Sequence, residues 1–366
     1  MLLTYEPLLN RQRAVTGSRL RVHGTNSAQG LVGLKDVWPT PRTVLVAFDE
    51  LPFEDDLALW QAPANAMVEL SVQDLKQNPG LPEILDQRAV PFCLSGVTST
   101  QLPTGNFRFI LAAPEVPAEV LPGVALAHGL PDAPAFEACL KRGFAGAAGW
   151  FFLKGGKSSP RLPPSYAHIV RLVGMVRAGA ELKAIEAALK QDLALSYRLL
   201  RYINTAGFGL SCEIQSFHHA VAIMGYDKLN RWLGLLLVSA SHEPLAPAMV
   251  QTAVVRGRFM EILGESYFDR SELDNLFIAG AFSLLDILLG TPMAKIMDEM
   301  RLPEAVGDAL LHNHGAYAPL LTLARTCEGG DPACLAQQVE ALGLEPIAVN
   351  RALLSALRFA EELLAQ

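Results

Sequence analysis

The period of the apolar residues changes once along this 366-residue chain, and that change constrains the fold more than any other feature. Up to about residue 152, short apolar runs recur between turn signals, a pattern typical of strands. Beyond a stretch at 153–165 rich in Gly, Pro, Ser and Lys, apolar residues recur with a helical period. We therefore predict two domains, 1–155 and 156–366, the second consisting of a linker and helices.

Eight runs in the first part have the length and composition of strands: 5–9, 15–22, 43–48, 67–70, 90–94, 107–111, 124–128 and 149–152. Some intervening segments, such as 72–87 and 134–143, are long enough for a helix. Strands that alternate with helices indicate a parallel α/β arrangement, and eight of them favour a closed barrel with a thin ring of helices. The predicted fold class is thus α/β plus all-α.

Composition and charge exclude several classes of function. The net charge of −7 argues against sequence-independent binding of nucleic acid, which needs clustered Lys and Arg. No apolar run reaches the roughly 18 residues of a membrane span, and the N-terminus lacks the features of a signal peptide. We therefore expect a cytoplasmic protein. The five cysteines form no CxxC pair, which indicates reduced thiols rather than a disulfide framework or a zinc site.

The usual catalytic and cofactor motifs are not found. The segment 153–159, "LKGGKSS", has Phe151 where a phosphate-binding loop would begin with glycine. His312 and His314 lie two residues apart, a spacing that points them in different directions on a helix, so we interpret them as structural. Neither a GxSxG nor an HExxH motif is present. These motifs give us no catalytic residue, metal ligand or cofactor.

One candidate strand, "AVTGSRLRVHG" at 14–24, carries two arginines on the same side. It is either an edge strand with a basic face or a barrel strand in which a functional residue has been exchanged. Arg19 and Arg21 could contact the phosphates of a nucleotide, since a guanidinium binds phosphate in a bidentate manner. The alternative is that these arginines face solvent or form ion pairs.

The first part of the chain resembles a known family. "YEPLLNRQRAVTGSRL" at 5–20 resembles the opening of EAL domains, which are cyclic-di-GMP phosphodiesterases, and "AAGWFFLKG" at 147–155 resembles their last strand. The resemblance implies a (β/α) barrel of EAL type, here with reduced helices. In the active family, carboxylates and a glutamine at the carboxyl ends of the strands bind two metal ions that activate water.

The resemblance also shows which metal-binding positions are changed. Only Glu69 is retained. The other carboxylate and glutamine positions of the family fall at Arg19, Ser95, Gly96, Pro131 and Ala148, and its catalytic lysine falls near Ile110. A pair of divalent metal ions needs several anionic oxygens as ligands. A guanidinium carries a positive charge and repels the metal ions. We therefore expect an inactive barrel without metal or cofactor, with Arg19, Arg21 and Glu69 as possible ligand-binding residues.

The second part resembles the HDOD domain, a helical domain related to HD phosphohydrolases but without their His-Asp metal dyad. "QDLALSYRLLRYINTAGFGL" at 191–210 is similar to the family's signature, and "SFHHAVAIMGYDKLNRWL" at 216–233 to the segment that follows it. The signature places a structural turn at Asp192, Asn204, Thr205, Gly207 and Phe208. The whole chain thus resembles the tandem EAL–HDOD signalling proteins of bacteria.

Three functions follow as hypotheses. The leading one is a signalling protein that is not an enzyme and acts through contacts with unidentified partner proteins, without nucleic acid or membrane. The alternative is a sensor that binds cyclic-di-GMP or another nucleotide without hydrolysing it. The third is a phosphodiesterase or phosphohydrolase whose ligands are not recognised in the sequence.

Overall fold

The computed structural model describes residues 1–24, 27–51, 60–87, 89–103, 105, 107–154, 164–190, 217–239, 244–300 and 302–364. Eight strands form a closed barrel in chain order. Their bounds are β1 Leu2–Asn10, β2 Val15–His23, β3 Thr43–Phe48, β4 Ala66–Ser71, β5 Phe92–Val97, β6 Phe109–Ala112, β7 Val124–His128 and β8 Gly146–Ala148. The predicted eight-stranded barrel is confirmed.

The first strand of the barrel runs opposite to all the others. β1 pairs antiparallel with β2 and with β8, whereas β2 to β8 pair in parallel. The register of β1 and β2 shifts between Leu8 and Leu9, beside Gly17, so the predicted bulge or turn at this glycine is a bulge. At Gly146 a β-carbon would lie 1.9 Å from the Leu9 carbonyl oxygen, so only glycine lets β8 close the barrel against β1.

Helices surround the barrel thinly and make up the second part of the chain. Those beside the barrel are α1 Ser27–Val32, α2 Val72–Gln77, α3 Leu81–Gln87 and α4 Ala133–Lys141. The second part contains α5 Pro164–Arg177, α6 Leu182–Lys190, α7 Phe217–Ser239, α8 Ala246–Gly264, α9 Arg270–Phe282, α10 Leu285–Leu289, α11 Met293–Met300, α12 Glu304–Gly307, α13 Ala318–Thr326, α14 Pro332–Ala341 and α15 Pro346–Leu364. Gly225 interrupts α7 with a non-helical backbone.

Three local predictions differ from the structure. The last strand is Gly146–Ala148, not 149–152, because Gly149 has a φ of +120° and ends it; Phe151–Leu153 is a 3-10 helix. The segment 72–87 forms two helices, since Asn78–Gly80 contains a proline and a glycine that interrupt the helical pattern. The C-terminal end of the predicted linker belongs to α5, whose first residue is Pro164, a residue favoured at the first helical position.

The four cysteines that the structure describes are free thiols, as the sequence predicted. Cys93, Cys139 and Cys327 are buried, and Cys334 is exposed. Cys212 lies outside the described residues. In the described part of the chain, no helix combines the length and the apolar character that crossing a bilayer requires.

The helical part completes the hydrogen bonding of β1. β8 is short and pairs with only Leu8, Leu9 and Asn10. Beyond it, the Leu3 amide donates to Asn350 Oδ1 of α15 at 2.9 Å, and the Tyr5 amide donates to the Cys327 carbonyl at 2.8 Å. The intervening odd-numbered residue is Pro7, which has no amide hydrogen to satisfy. Two helical-part acceptors therefore replace a neighbouring strand along half of β1.

A buried carboxyl group lies on α15 in the same helical part. The Glu361 side chain is fully buried, and neither of its oxygens has a hydrogen-bond partner. Burial raises its pKa to about 7, although the charge of Arg42, from the segment before β3, acts in the opposite direction. Arg42 itself donates to Gln251 Oε1 of α8 at 2.7 Å. The carboxyl is therefore protonated in mildly acidic solution and ionised in mildly alkaline solution.

We predict that Asn350→Ala lowers the free energy of unfolding by about 1–3 kcal/mol, because it leaves the buried Leu3 amide without an acceptor. It also removes the bond from Asn350 Nδ2 to the Met1 carbonyl. Urea denaturation measures the change. Gln337→Ala, at an exposed position of α14, is the control and should change stability little. Equal effects of the two substitutions would show that the Asn350 contact does not stabilise β1.

We also predict that stability falls between about pH 4.5 and pH 7 because of Glu361. The folded protein holds this proton up to a pKa of about 7, whereas the unfolded chain releases it near 4.5. The folded state therefore binds more protons in this window, and the free energy of unfolding decreases as the pH rises. Glu361→Gln should remove that decrease and stabilise the protein by about 3 kcal/mol at pH 8. Glu340→Gln, at an exposed position of α14, should leave this decrease in place.

Candidate functional site

The interior of the barrel has an apolar layer and, nearer the carboxyl ends of the parallel strands, a charged layer. The apolar layer consists of Leu8, Leu45, Met67, Cys93, Leu111, Leu126 and Ala148. Residues two positions further toward the carboxyl ends of the parallel strands share the same orientation. There the interior carries Glu69 on β4 and His128 on β7, with Arg19 of β2 facing Glu6 of β1. The active sites of β/α barrels are built at this end of the strands.

Arg19 is the centre of this cluster, which we call the mouth cluster: Glu6, Arg19, Glu69 and His128. Its guanidinium binds Glu69 with both carboxylate oxygens, Nε to Oε2 at 2.6 Å and Nη2 to Oε1 at 2.8 Å. Nη1 donates to Glu6 Oε2 at 2.9 Å and lies 3.1 Å from His128 Nε2. Arg19 and Glu69 are buried, whereas the His128 side chain is 39% exposed. Solvent therefore reaches the cluster from the side of His128.

Two members of the cluster, Glu6 and Arg19, are held in the ionised form. Burial by itself would raise the pKa of Glu6, but the hydrogen bond with His128 and the charge of Arg19 outweigh it and bring the pKa down to about 2. Burial would likewise lower the pKa of Arg19, but Glu69 and then Glu6 raise it above its ordinary value. At neutral pH the cluster thus contains one cation and at least one carboxylate that cannot be protonated easily.

A second row of polar side chains lies on the rim above the mouth cluster. Thr4 Oγ1 is 2.9 Å from His23 Nε2, and His23 Nδ1 is 2.7 Å from Asp49 Oδ2. The order hydroxyl, imidazole, carboxylate is that of a nucleophile and its base. Thr4, however, is buried, so a substrate does not reach its hydroxyl, and the row orients His23 instead. Arg21 lies beside it, 48% exposed and 3.5 Å from Asp49.

The predicted ligand-binding residues lie together at the mouth of the barrel. Arg19 and Glu69 are paired with each other, and Arg21 is on the rim. β2 is a barrel strand with neighbours on both sides, so it is not the edge strand considered as one of two alternatives. That these residues bind a ligand stays a prediction. The predicted turn at Asp192, Asn204, Thr205, Gly207 and Phe208 lies outside the described residues.

The mouth cluster does not fit the pair of metal ions that the EAL resemblance implies. The Arg19 guanidinium occupies the space between Glu6 and Glu69, the two carboxylates that would have to be ligands. Its positive charge takes the electrostatic place of a metal there. In the part of the chain that the structure describes, no three His, Cys, Asp or Glu side chains are grouped so as to hold a metal ion.

Sequence reasoning missed Glu6, His128, His23 and Asp49. The signal for Glu6 is the hairpin: a short turn between β1 and β2 places Glu6 directly opposite Arg19. His23 and Asp49 follow the parallel pair Val22 and Phe48, which makes them neighbours although 26 residues separate them. Strand pairing brings these residues together, so no sequence motif with a fixed spacing predicts their contacts.

Comparison with known proteins identifies part of the chain. Residues 160–286 match the model of the HDOD domain. The chain contains an HDOD domain. It is also similar to cyclic di-GMP phosphodiesterase CdgJ of Vibrio cholerae, with 27% identity over 62% of this chain and 53% of the relative. The uncharacterized protein YuxH of Bacillus subtilis is 25% identical over 54% of this chain and 49% of its own length.

These relatives correct one expectation. We expected a protein that is not an enzyme, and similarity to a protein named a phosphodiesterase contradicts this. The chain spans about half the length of the curated relatives that it matches. The expectation was based on the exchanged metal-binding positions, and the absence of one kind of metal site does not exclude catalysis by other groups.

We predict that Arg19→Met lowers the free energy of unfolding by about 3–5 kcal/mol, since it leaves buried carboxylates without their cation. The double substitution Arg19→Met with Glu69→Met should recover much of this loss, because it also removes the more deeply buried carboxylate. Urea denaturation of both variants tests this. Arg13→Met breaks a more exposed pair with Glu137 and should change the midpoint little. A double variant no more stable than Arg19→Met would contradict the pairing argument.

Proposed function

We propose that this chain is a signalling protein that engages cyclic-di-GMP at the mouth of its barrel and communicates with partner proteins through its HDOD domain. The observation that carries the proposal is the charged mouth cluster at the carboxyl ends of the barrel strands, in a chain similar to a protein named a cyclic di-GMP phosphodiesterase. The proposed domains are the barrel, 1–155, and the linker with the helical domain, 156–366.

The barrel is proposed to be of the EAL type. The sequence Tyr5-Glu6-Pro7 lies in β1, and a hairpin joins it to β2, where the resemblance places the family's metal-binding glutamate at Arg19. Both strands of this hairpin belong to the barrel, in which β1 is antiparallel to the seven strands that follow it. In this proposal, Arg19 and Glu69 hold the shape of the mouth from within.

Arg21 and His128 are the proposed contacts to the nucleotide. Arg19 has its guanidinium occupied by two carboxylates, so a phosphate gains little from it. Arg21 is half-exposed and only loosely paired with Asp49, which leaves donors for a phosphate oxygen. The partly exposed His128 has its Nε2 close to Arg19 and Glu6, and its ring lies on the side from which solvent reaches the cluster.

The output is proposed to pass through protein contacts of the helical part, with partners of unidentified sequence. A ligand changes such contacts only if it binds two states of the protein with different affinities. The net charge of −7 supports protein partners over nucleic acid. The cytoplasmic location stays a prediction.

Calorimetric titration of the full chain with cyclic-di-GMP, followed by chromatography of the nucleotide, tests the proposal. We expect binding heat with one site per chain. Conversion to the linear dinucleotide would assign to this barrel the activity for which the relative is named, and intact nucleotide would assign recognition to it. No heat and no conversion, with or without Mg²⁺, would overturn the proposal.

We predict that Arg21→Ala weakens cyclic-di-GMP binding about tenfold or more, because it removes a charged hydrogen bond to phosphate. Arg11→Ala is the matched control: Arg11 is exposed, lies in the hairpin turn at the opposite end of the barrel, and donates to the Leu140 carbonyl. It should bind the nucleotide like the unchanged protein. If both variants bind like the unchanged protein, Arg21 does not contact the nucleotide.

A further inference from the structure

A short segment of the helical part, residues 327–330 after α13, lies beside the mouth cluster. Its Cys327 carbonyl accepts the hydrogen bond from the Tyr5 amide of β1. Two residues later, Gly329 lies beside Glu6: a β-carbon at Gly329 would be 3.8 Å from Glu6 Oε1 and 3.6 Å from Trp150 Nε1. Trp150 in turn packs edge-on against Tyr5, with 5.0 Å between the ring centres. The segment therefore lies against the side of Glu6 that Arg19 does not use.

A buried ion pair fixes this segment to the helical core. Glu328 binds Arg256 of α8 with both oxygens, at 2.6 Å each, and both side chains are 6% exposed. The remaining Arg256 nitrogen donates to Ser283 Oγ at 2.8 Å. The backbone at Gly329 has a φ of +86°, a conformation that glycine adopts without strain. The position of Gly329 against Glu6 thus depends on where Arg256 holds Glu328.

We infer that Glu328 and Gly329 are positioning residues for the mouth cluster, so that the HDOD-containing helical part sets the geometry at which the barrel receives its ligand. The route has four steps. Arg256 pairs with Glu328, Glu328 is bonded to Gly329 along the chain, Gly329 lies where an added β-carbon would meet Glu6, and Glu6 contacts His128 and Arg19. Glu6 Oε2 is 3.4 Å from His128 Nε2. A shift of the segment therefore reaches His128 through Glu6. This inference rests on the proposed function only for the ligand, not for the contacts.

The segment is fixed by an ion pair, Arg256 with Glu328, and not by apolar packing alone. Well-packed apolar residues would stabilise the seam between barrel and helices as well as a buried ion pair does. A buried Arg–carboxylate pair, however, fixes direction and distance more tightly than apolar packing, because its two parallel hydrogen bonds tolerate little displacement. The pair is placed where displacement matters, one residue from the contact with Glu6.

The experiment uses two variants of the full chain, each with a matched control. Glu328→Gln weakens the pair with Arg256, and Glu261→Gln weakens a largely buried pair with Arg231 inside the helical part. Gly329→Ala places a methyl group beside Glu6. Its control, Gly343→Ala, adds a methyl group at another glycine with a positive φ, where no atom lies within 4 Å. The readouts are the NMR chemical shifts of the His128 ring and the Kd for cyclic-di-GMP.

We expect Glu328→Gln and Gly329→Ala to shift the His128 ring resonances and to raise the Kd by about fivefold or more, while the two controls leave both unchanged. A purely structural role would lower stability in test and control variants alike and would not move His128. His128 shifts no larger than those of the controls would overturn the inference. If the unchanged protein binds no cyclic-di-GMP but the test variants shift His128, the proposed function fails and the positioning role stands. Should Glu328→Gln not fold, Gly329→Ala with its control decides the matter.

Discussion

The first half of β1 depends on hydrogen bonds that the other strands of the barrel do not supply. β8 contains three residues and covers only the end of β1, so the amides of Leu3 and Tyr5 would otherwise face the helical part unpaired. A buried amide without an acceptor costs about as much as a lost hydrogen bond or more. Asn350 and Cys327 provide the acceptors, and Pro7 removes the need for a third. The two parts of the chain therefore share one hydrogen-bonded wall.

This shared wall places the helical part beside the site. Residues on β1 alternate in direction, so Tyr5 faces the helices while Glu6 faces the interior of the barrel. β1 thus packs against the helical part with one face and contributes a carboxylate of the mouth cluster from the other. Arg351 of α15, which binds Asp36 near the barrel helices, extends the contact beyond β1. A displacement of the helical part would act on the mouth at its first strand.

Much of the fold follows from the apolar pattern, and much of the site does not. Seven of the eight strands fall where the sequence predicts them, because each is a short apolar run bounded by turn residues. The eighth is displaced, since β8 is made of glycine and alanine, while the aromatic run that follows packs as a 3-10 turn. The strand pattern singled out Arg19, because two arginines share one side of an apolar run, and comparison of family positions singled out Glu69. Asn350, 347 residues from Leu3, has no signal in the sequence, because its role is set by tertiary packing alone.

Two buried arginines, one on each side of β1, distinguish this barrel from one held by apolar packing alone. Arg19 neutralises Glu6 and Glu69 inside the barrel, and Arg256 neutralises Glu328 behind it. Desolvation offsets most of the Coulombic gain of such pairs, so their contribution to stability does not explain why the chain contains them. What they provide is fixed geometry. Arg19 fixes the carboxylates at which a ligand would arrive, and Arg256 fixes the segment that borders one of those carboxylates. Glu6 lies between the two, and in our inference its orientation depends on both the barrel and the helical part.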